Sequence, residues 1–126
     1  VDFVLQCLKN MWGGELFVPK IPSYRILDVV KAINTNAKIK YVGIRPGEKI
    51  HEEMITKTDG LQTIEFDNYF VVLPSFQLRW KLDDFIKNSN SKPGHKVKDD
   101  FSYNSGENNK FLSVEELIFQ IKELLK

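Results

Sequence analysis

The chain has 126 residues, 42% of them hydrophobic and 28% charged, with a net charge of +1. That is the make-up of one globular domain, and the near-neutral balance gives no basis for bulk binding to nucleic acid or to an anionic membrane. No apolar run reaches the length of a membrane helix, Val1-Asp2-Phe3 lacks the features of a signal peptide, and one cysteine, Cys7, fits a reducing cytoplasm rather than a disulfide framework. Cys7 stands among Phe3, Val4, Leu8 and Met11 and reads as a packed thiol.

In chain order, Phe3, Val4, Cys7, Leu8 and Met11 recur at helical spacing, and Gly13-Gly14 is a natural stop. Glu15-Leu16-Phe17-Val18 reads as a short strand before Pro19 and Pro22. Ser23 is expected to cap a helix carrying Ile26, Leu27, Val30 and Ile33, which ends over Asn34 to Asn36. A strand is expected from about Lys38 to Gly43, followed by an amphipathic helix from about Glu48 to Ile55. Thr58-Asp59-Gly60 signals a turn. Thr63 to Phe66 and Tyr69 to Leu73 read as a hairpin around Asp67-Asn68. Phe76, Leu78, Trp80, Leu82, Phe85 and Ile86 suggest a further helix. Residues 88–110 are polar, without periodicity, and read as a flexible or lid loop anchored by Phe101 and Tyr103. Ser113-Val114-Glu115-Glu116 is a capping box, and the helix after it places Val114, Leu117, Ile118, Ile121, Leu124 and Leu125 on one face.

The most informative stretch is Gly43-Ile44-Arg45-Pro46-Gly47-Glu48-Lys49. If a helix starts there, its unpaired N–H groups and dipole suit an anion, and the Arg45 guanidinium adds a two-pronged grip on phosphate. The competing reading is an ordinary helix-start turn with Pro46 near the first position and an exposed arginine. The inventory of reactive groups excludes more than it supports. His51-Glu52 begins like a zinc-protease helix, but Ile55 stands where the second histidine would be, so no metal site is expected. There is no Gly-x-Ser-x-Gly elbow, no phosphate-binding Gly-rich loop and no Gly-x-Gly-x-x-Gly; no Tyr is followed four residues on by Lys.

Gly14 to Ser23, Gly43 to Ile55 and Leu61 to Pro74, in this order and spacing, resemble the C-terminal part of the inverting UDP-N-acetylglucosamine 4,6-dehydratases, members of the extended short-chain dehydrogenase/reductase superfamily. The likeness weakens over the polar stretch and returns at Phe101 to Ser105 and Leu112 to Leu117. The Arg-Pro-Gly-Glu core is less specific, since UDP-sugar epimerases are similar there. The resemblance implies an α/β lobe, a small mixed sheet packed with helices, that closes over a nucleotide sugar. It further implies a Rossmann domain holding NADP and the catalytic residues, which residues 1–126 lack. The chain does not begin with Met and opens directly into a helix pattern, so it is expected to be a fragment without activity of its own, holding no cofactor and partnered by that Rossmann domain.

By the same resemblance Arg45 holds the UDP diphosphate and Glu48 the ribose hydroxyls; Lys20 faces the phosphates; Tyr103, Asn104 and Ser105 fold over the nucleotide as a lid. The bland alternatives are a solvated Lys20 and ordinary loop anchoring. The aromatic residues from Phe76 to Ile86 are expected in the core; any left exposed by a missing domain would drive self-association into a homo-oligomer. Two other readings are a lobe of a UDP-sugar epimerase and a stand-alone nucleotide-binding or interaction module without catalysis.

Overall fold

The structure is a computed structural model that describes residues 1–76, 80–87 and 93–125. The chain forms two compact units, one of Val1–Lys20 with Glu53–Tyr103, the other of Ile21–Glu52 with Asn104–Lys126.

The first unit is built on four antiparallel strands: β1 (Leu16–Pro19), β3 (Thr63–Glu65), β4 (Tyr69–Val72) and β5 (His95–Lys96), in the order β1-β4-β3-β5. β4 is central because it is apolar on both faces, as a strand covered on both sides must be. Tyr69 and Val71 join Ile64, Phe66 and Phe85 in one cluster, whereas Phe70 joins Val18, Ile55 and Val97 in another. The register pairs Phe17 with Val71 and Val18 with Phe70, so the period-2 alternation of each strand matches its neighbour. The Asp67-Asn68 hairpin forms as expected, closed by the Phe66 N–H donating to the Tyr69 carbonyl at 2.9 Å. Phe66 also stacks on Tyr69 with ring centroids 4.8 Å apart.

Helix α1 (Asp2–Asn10) lays Phe3 edge-on against Tyr69 at 6.1 Å. Burial raises the Cys7 thiol above its ordinary pKa, with a backbone hydrogen bond opposing that rise in part. β2 (Glu53–Ile55) leads into a single turn, α3 (Lys57–Gly60), whose Thr56 and Asp59 form a reciprocal capping box. That turn is helical where the sequence shows only a turn signal. Of the helix expected across Phe76 to Ile86, the described residues form α4 (Leu82–Lys87). Trp80 precedes it instead, held by its indole N–H donating to the Gly13 carbonyl at 3.2 Å and by stacking on Phe85 at 4.9 Å. Leu78 lies outside the described residues. Within the polar stretch 88–110, residues 88–92 also lie outside them; the remainder contributes β5 and β6 (Tyr103–Asn104), the latter paired with β2.

In the second unit, α2 (Ile26–Ile33) packs against α5 (Val114–Leu124). The Ser113 capping box forms as the sequence expects: the Glu116 N–H donates to the Ser113 hydroxyl and the Ser113 N–H to the Glu116 carboxylate. Leu117 is buried on the face expected of it. Ser23, by contrast, does not cap α2, whose first flanking residue is Arg25 and has no side-chain cap. Ser23 is drawn away by 108–112: its N–H donates to the Lys110 carbonyl, its carbonyl accepts from the Leu112 N–H, and its hydroxyl accepts from Asn108. A buried serine with all three groups paired gains more from this bridge than from a helix end.

Two expected elements are absent. Lys38 to Gly43 is not a strand, and Glu48 to Ile55 is not a helix. Residues 38–44 are mostly exposed and have no ladder partner among the described residues, and without one an extended run is not held as sheet. The helix fails at both ends. Pro46-Gly47 makes a tight turn, and Ile55, fully buried beside Phe70, belongs to β2.

Candidate functional site

Arg45 sits on a turn, not at a helix start. The Glu48 N–H donates to the Arg45 carbonyl at 3.1 Å, and Gly47 has φ +85°. Pro at the second position and a positive-φ glycine at the third define a type II turn. The positive end of a helix dipole is therefore not part of this site, and any grip on an anion must come from side chains and the local N–H groups. Glu48 closes the turn from its own side chain: one carboxylate oxygen accepts from the Arg45 N–H at 2.9 Å, and the other lies 3.7 Å from the Arg45 Nε. The guanidinium is 81% exposed and the carboxylate 50%, so this ion pair is weak and easily exchanged.

Beside the turn is an open concavity of about 700 Å³. That is within the usual size of a small-molecule site. It is lined by Glu48, Lys49 and Glu52 with the apolar Ile44 and Ile50 and the backbone of Gly43 and Gly47. Arg45 borders it in sequence but is not in its lining. Lys49 supplies a second cation that the sequence reading passed over; its place next to Glu48 in the same short motif was the available signal.

The other expected residues fall into two groups. In the first unit, Lys20 and Tyr103 converge on one ring: the Lys20 Nζ lies 4.9 Å from the Phe70 centroid, and the Tyr103 ring 5.1 Å from it. Lys20 is also bonded to Glu65 at 2.6 Å, half-buried, with the other Glu65 oxygen 3.4 Å from the His95 Nε2. It is thus an anchored side chain, not a solvated one. In the second unit, Asn104 accepts the Gly106 and Glu107 N–H groups on its side-chain oxygen, and Ser105 accepts the Glu52 N–H on its hydroxyl at 3.0 Å. Among the described residues no group of three His, Cys, Asp or Glu side chains is placed to hold a metal ion.

A family model described as polysaccharide biosynthesis protein matches residues 1–74, which include Lys20, Arg45 and Glu48. The chain is 46% identical over 118 residues to a UDP-N-acetylglucosamine 4,6-dehydratase (inverting) of Campylobacter jejuni, a match spanning 94% of this chain and 35% of that protein. It is 31% identical over 74 residues to a UDP-glucose 4-epimerase of Rickettsia bellii, covering 56% of this chain and 22% of that protein. Among solved structures, the X-ray structure of Pen from Bacillus thuringiensis matches with a TM-score of 0.73 and 25% identity, over 98% of this chain and 36% of that one. The chain thus spans about a third of the length of the dehydratase it resembles. The α/β class that the resemblance implied is what forms, although the four-stranded sheet is antiparallel throughout and not mixed. With more than half of its length under the family model, the chain belongs to the polysaccharide biosynthesis protein family.

Proposed function

We propose that this chain is the nucleotide-sugar-binding lobe of an NADP-dependent, inverting UDP-N-acetylglucosamine 4,6-dehydratase that serves surface-polysaccharide synthesis in the cytoplasm. The observation that carries this reading is the 46% identity along 94% of the chain to a protein of that name. The turn at Arg45 supports it with a mechanism. The guanidinium leaves its exposed partner Glu48 and takes two diphosphate oxygens, a planar fork matched to a phosphate. Glu48, released from the guanidinium, offers the ribose hydroxyls the carboxylate oxygen that does not accept from the Arg45 N–H. Lys49, in the lining of the concavity, adds positive charge. Lys20 and Tyr103, gathered on Phe70, form a second group of proposed substrate contacts.

In this reading the lobe binds and the chemistry is done elsewhere. Residues 1–126 contain neither a Gly-x-Gly-x-x-Gly nor a Tyr-x-x-x-Lys pair, so the NADP site and the proton-transfer residues belong to a Rossmann domain outside them. The test has two parts. Calorimetric titration of the 126-residue chain with UDP and UDP-N-acetylglucosamine should show weak binding that saturates. The full-length protein, given UDP-N-acetylglucosamine, should yield a 4-keto-6-deoxy sugar nucleotide. Recovery of a C4 epimer instead would favour the epimerase reading, which the 31% identity to a UDP-glucose 4-epimerase keeps in view.

A further inference from the structure

Residues 38–50 have no strand or helix of their own, yet they include the Arg45 turn and most of the lining of the concavity. Something outside the loop must set its position. The loop runs directly into His51 and Glu52, and there the second unit holds it tightly. The Ser105 N–H donates to the Glu52 carbonyl at 2.8 Å, and the Glu52 N–H donates to the Ser105 hydroxyl at 3.0 Å. One residue further on, Gly106 faces the His51 ring so closely that a Cβ would lie 2.7 Å from the ring Cγ and 2.8 Å from Nδ1. No real side chain tolerates that separation. The Cγ is the fixed end of the imidazole, so the ring can escape only by leaving its seat. Gly106 is itself held, its N–H donating to the Asn104 Oδ1 at 3.0 Å, while the Asn104 Nδ2 donates to Glu107 at 2.9 Å.

We infer that Ser105 and Gly106 are positioning residues that clasp His51-Glu52 and so set where the Arg45 loop presents its charges to a nucleotide. The clasp rests, for its ligand, on the function proposed above. It differs from the lid expected for Ser105: the Ser105 oxygen is already an acceptor for the Glu52 N–H, so it acts on substrate through the loop. Glu52 is both the clasped residue and part of the lining of the concavity, which is the route by which a change at 105 or 106 reaches the ligand.

The experiment has one arm that needs no ligand. Amide exchange of Glu52 is followed by NMR in the wild-type chain and in Ser105→Ala, Ser105→Thr, Gly106→Ala, His51→Ala and the His51→Ala/Gly106→Ala double variant. Losing the Ser105 acceptor should speed Glu52 exchange by about threefold to tenfold, the effect of one hydrogen bond. Ser105→Thr, which keeps the oxygen, should restore it. Gly106→Ala should do the same damage, and the double variant should return to the level of His51→Ala alone, because the clash has been removed. UDP titration forms the second arm. Displacing the loop should weaken UDP by about tenfold in Gly106→Ala, with recovery in the double variant.

Unchanged Glu52 exchange in both Ser105→Ala and Gly106→Ala overturns the clasp. A double variant as defective as Gly106→Ala overturns the seat for His51. Altered exchange with unaltered UDP affinity, while Arg45→Ala still weakens UDP, overturns the positioning role. If the wild-type chain gives no heat with UDP, the failure belongs to the nucleotide assignment, and the exchange arm still supports or overturns the clasp.

Discussion

Arg45→Ala is the substitution that most directly tests the nucleotide site. The guanidinium is 81% exposed and its resting partner is Glu48 at 3.7 Å, so removal leaves no buried orphan. Stability should change by no more than about 0.5 kcal/mol, as for most exposed sites. In the complex, the same side chain is proposed to make charge-assisted hydrogen bonds to phosphate, worth about 1.5–3 kcal/mol. Against this stands the exposed ion pair that must first be given up, worth at most about 1 kcal/mol. The difference, roughly 0.5–3 kcal/mol, corresponds to about a 2- to 160-fold rise in the UDP dissociation constant. Titration calorimetry at low ionic strength is the assay, with a thermal melt of the same sample as control. Arg45→Lys should fall between, since it keeps the charge and loses the fork. Added salt should narrow the gap between wild type and Arg45→Ala, because the exposed charge is screened. An Arg45→Ala chain that melts normally and binds UDP within about twofold of wild type would refute the assignment.

Four further outcomes follow from the fold. Gly47→Ala forces an alanine to φ +85° and should cost about 1–2 kcal/mol at the turn, read as a lower urea midpoint together with weaker UDP binding. Phe66→Ala removes a buried ring that stacks on Tyr69 at 4.8 Å and meets Phe85 edge-on at 6.2 Å; a loss of about 3–5 kcal/mol in a denaturant melt is expected. Ser113→Ala should cost about 1 kcal/mol through the lost cap of α5. The same cap gives stability a pH dependence. Hydrogen bonds from Ser113, the backbone one foremost, hold the Glu116 carboxyl below the ordinary 4.5 of a glutamate. A depressed carboxyl stabilises the fold above its unfolded value, and that contribution is lost as pH falls through the folded value. The contribution of this cap should therefore fade as pH falls below about 4.5, an acid transition that is absent in Glu116→Gln and persists in Ser113→Ala, which keeps the backbone N–H.

How far each element could be read in advance depends on where its determinants lie. The Asp67-Asn68 hairpin, the capping box at Ser113 and the apolar face through Leu117 were legible because a few neighbouring residues carry the whole reason for them. Ser23 misled because its chemistry suits a cap, while its partners, Asn108, Lys110 and Leu112, lie some 85 positions away. Glu48 to Ile55 misled for a similar reason. Its helical spacing is real, but Pro46-Gly47 turns the chain and Ile55 is claimed by the cluster around Phe70. For the candidate site, Arg45 and Glu48 were legible as neighbours in one motif because they lie three positions apart. Lys49, the seat of His51 on Gly106 and the Glu65 anchor of Lys20 were not.

By itself the sequence determined the family likeness, the central apolar strand and hairpin, the capped C-terminal helix and the identity of the charged turn, since each is written in contiguous residues. Only tertiary structure decided that Ile55 belongs to a strand and not a helix, that Ser105 is bonded to Glu52, and that Gly106 faces the His51 ring too closely for a Cβ. Those facts depend on groups brought together from distant parts of the chain, whose competition for backbone hydrogen bonds and buried space no local spacing records.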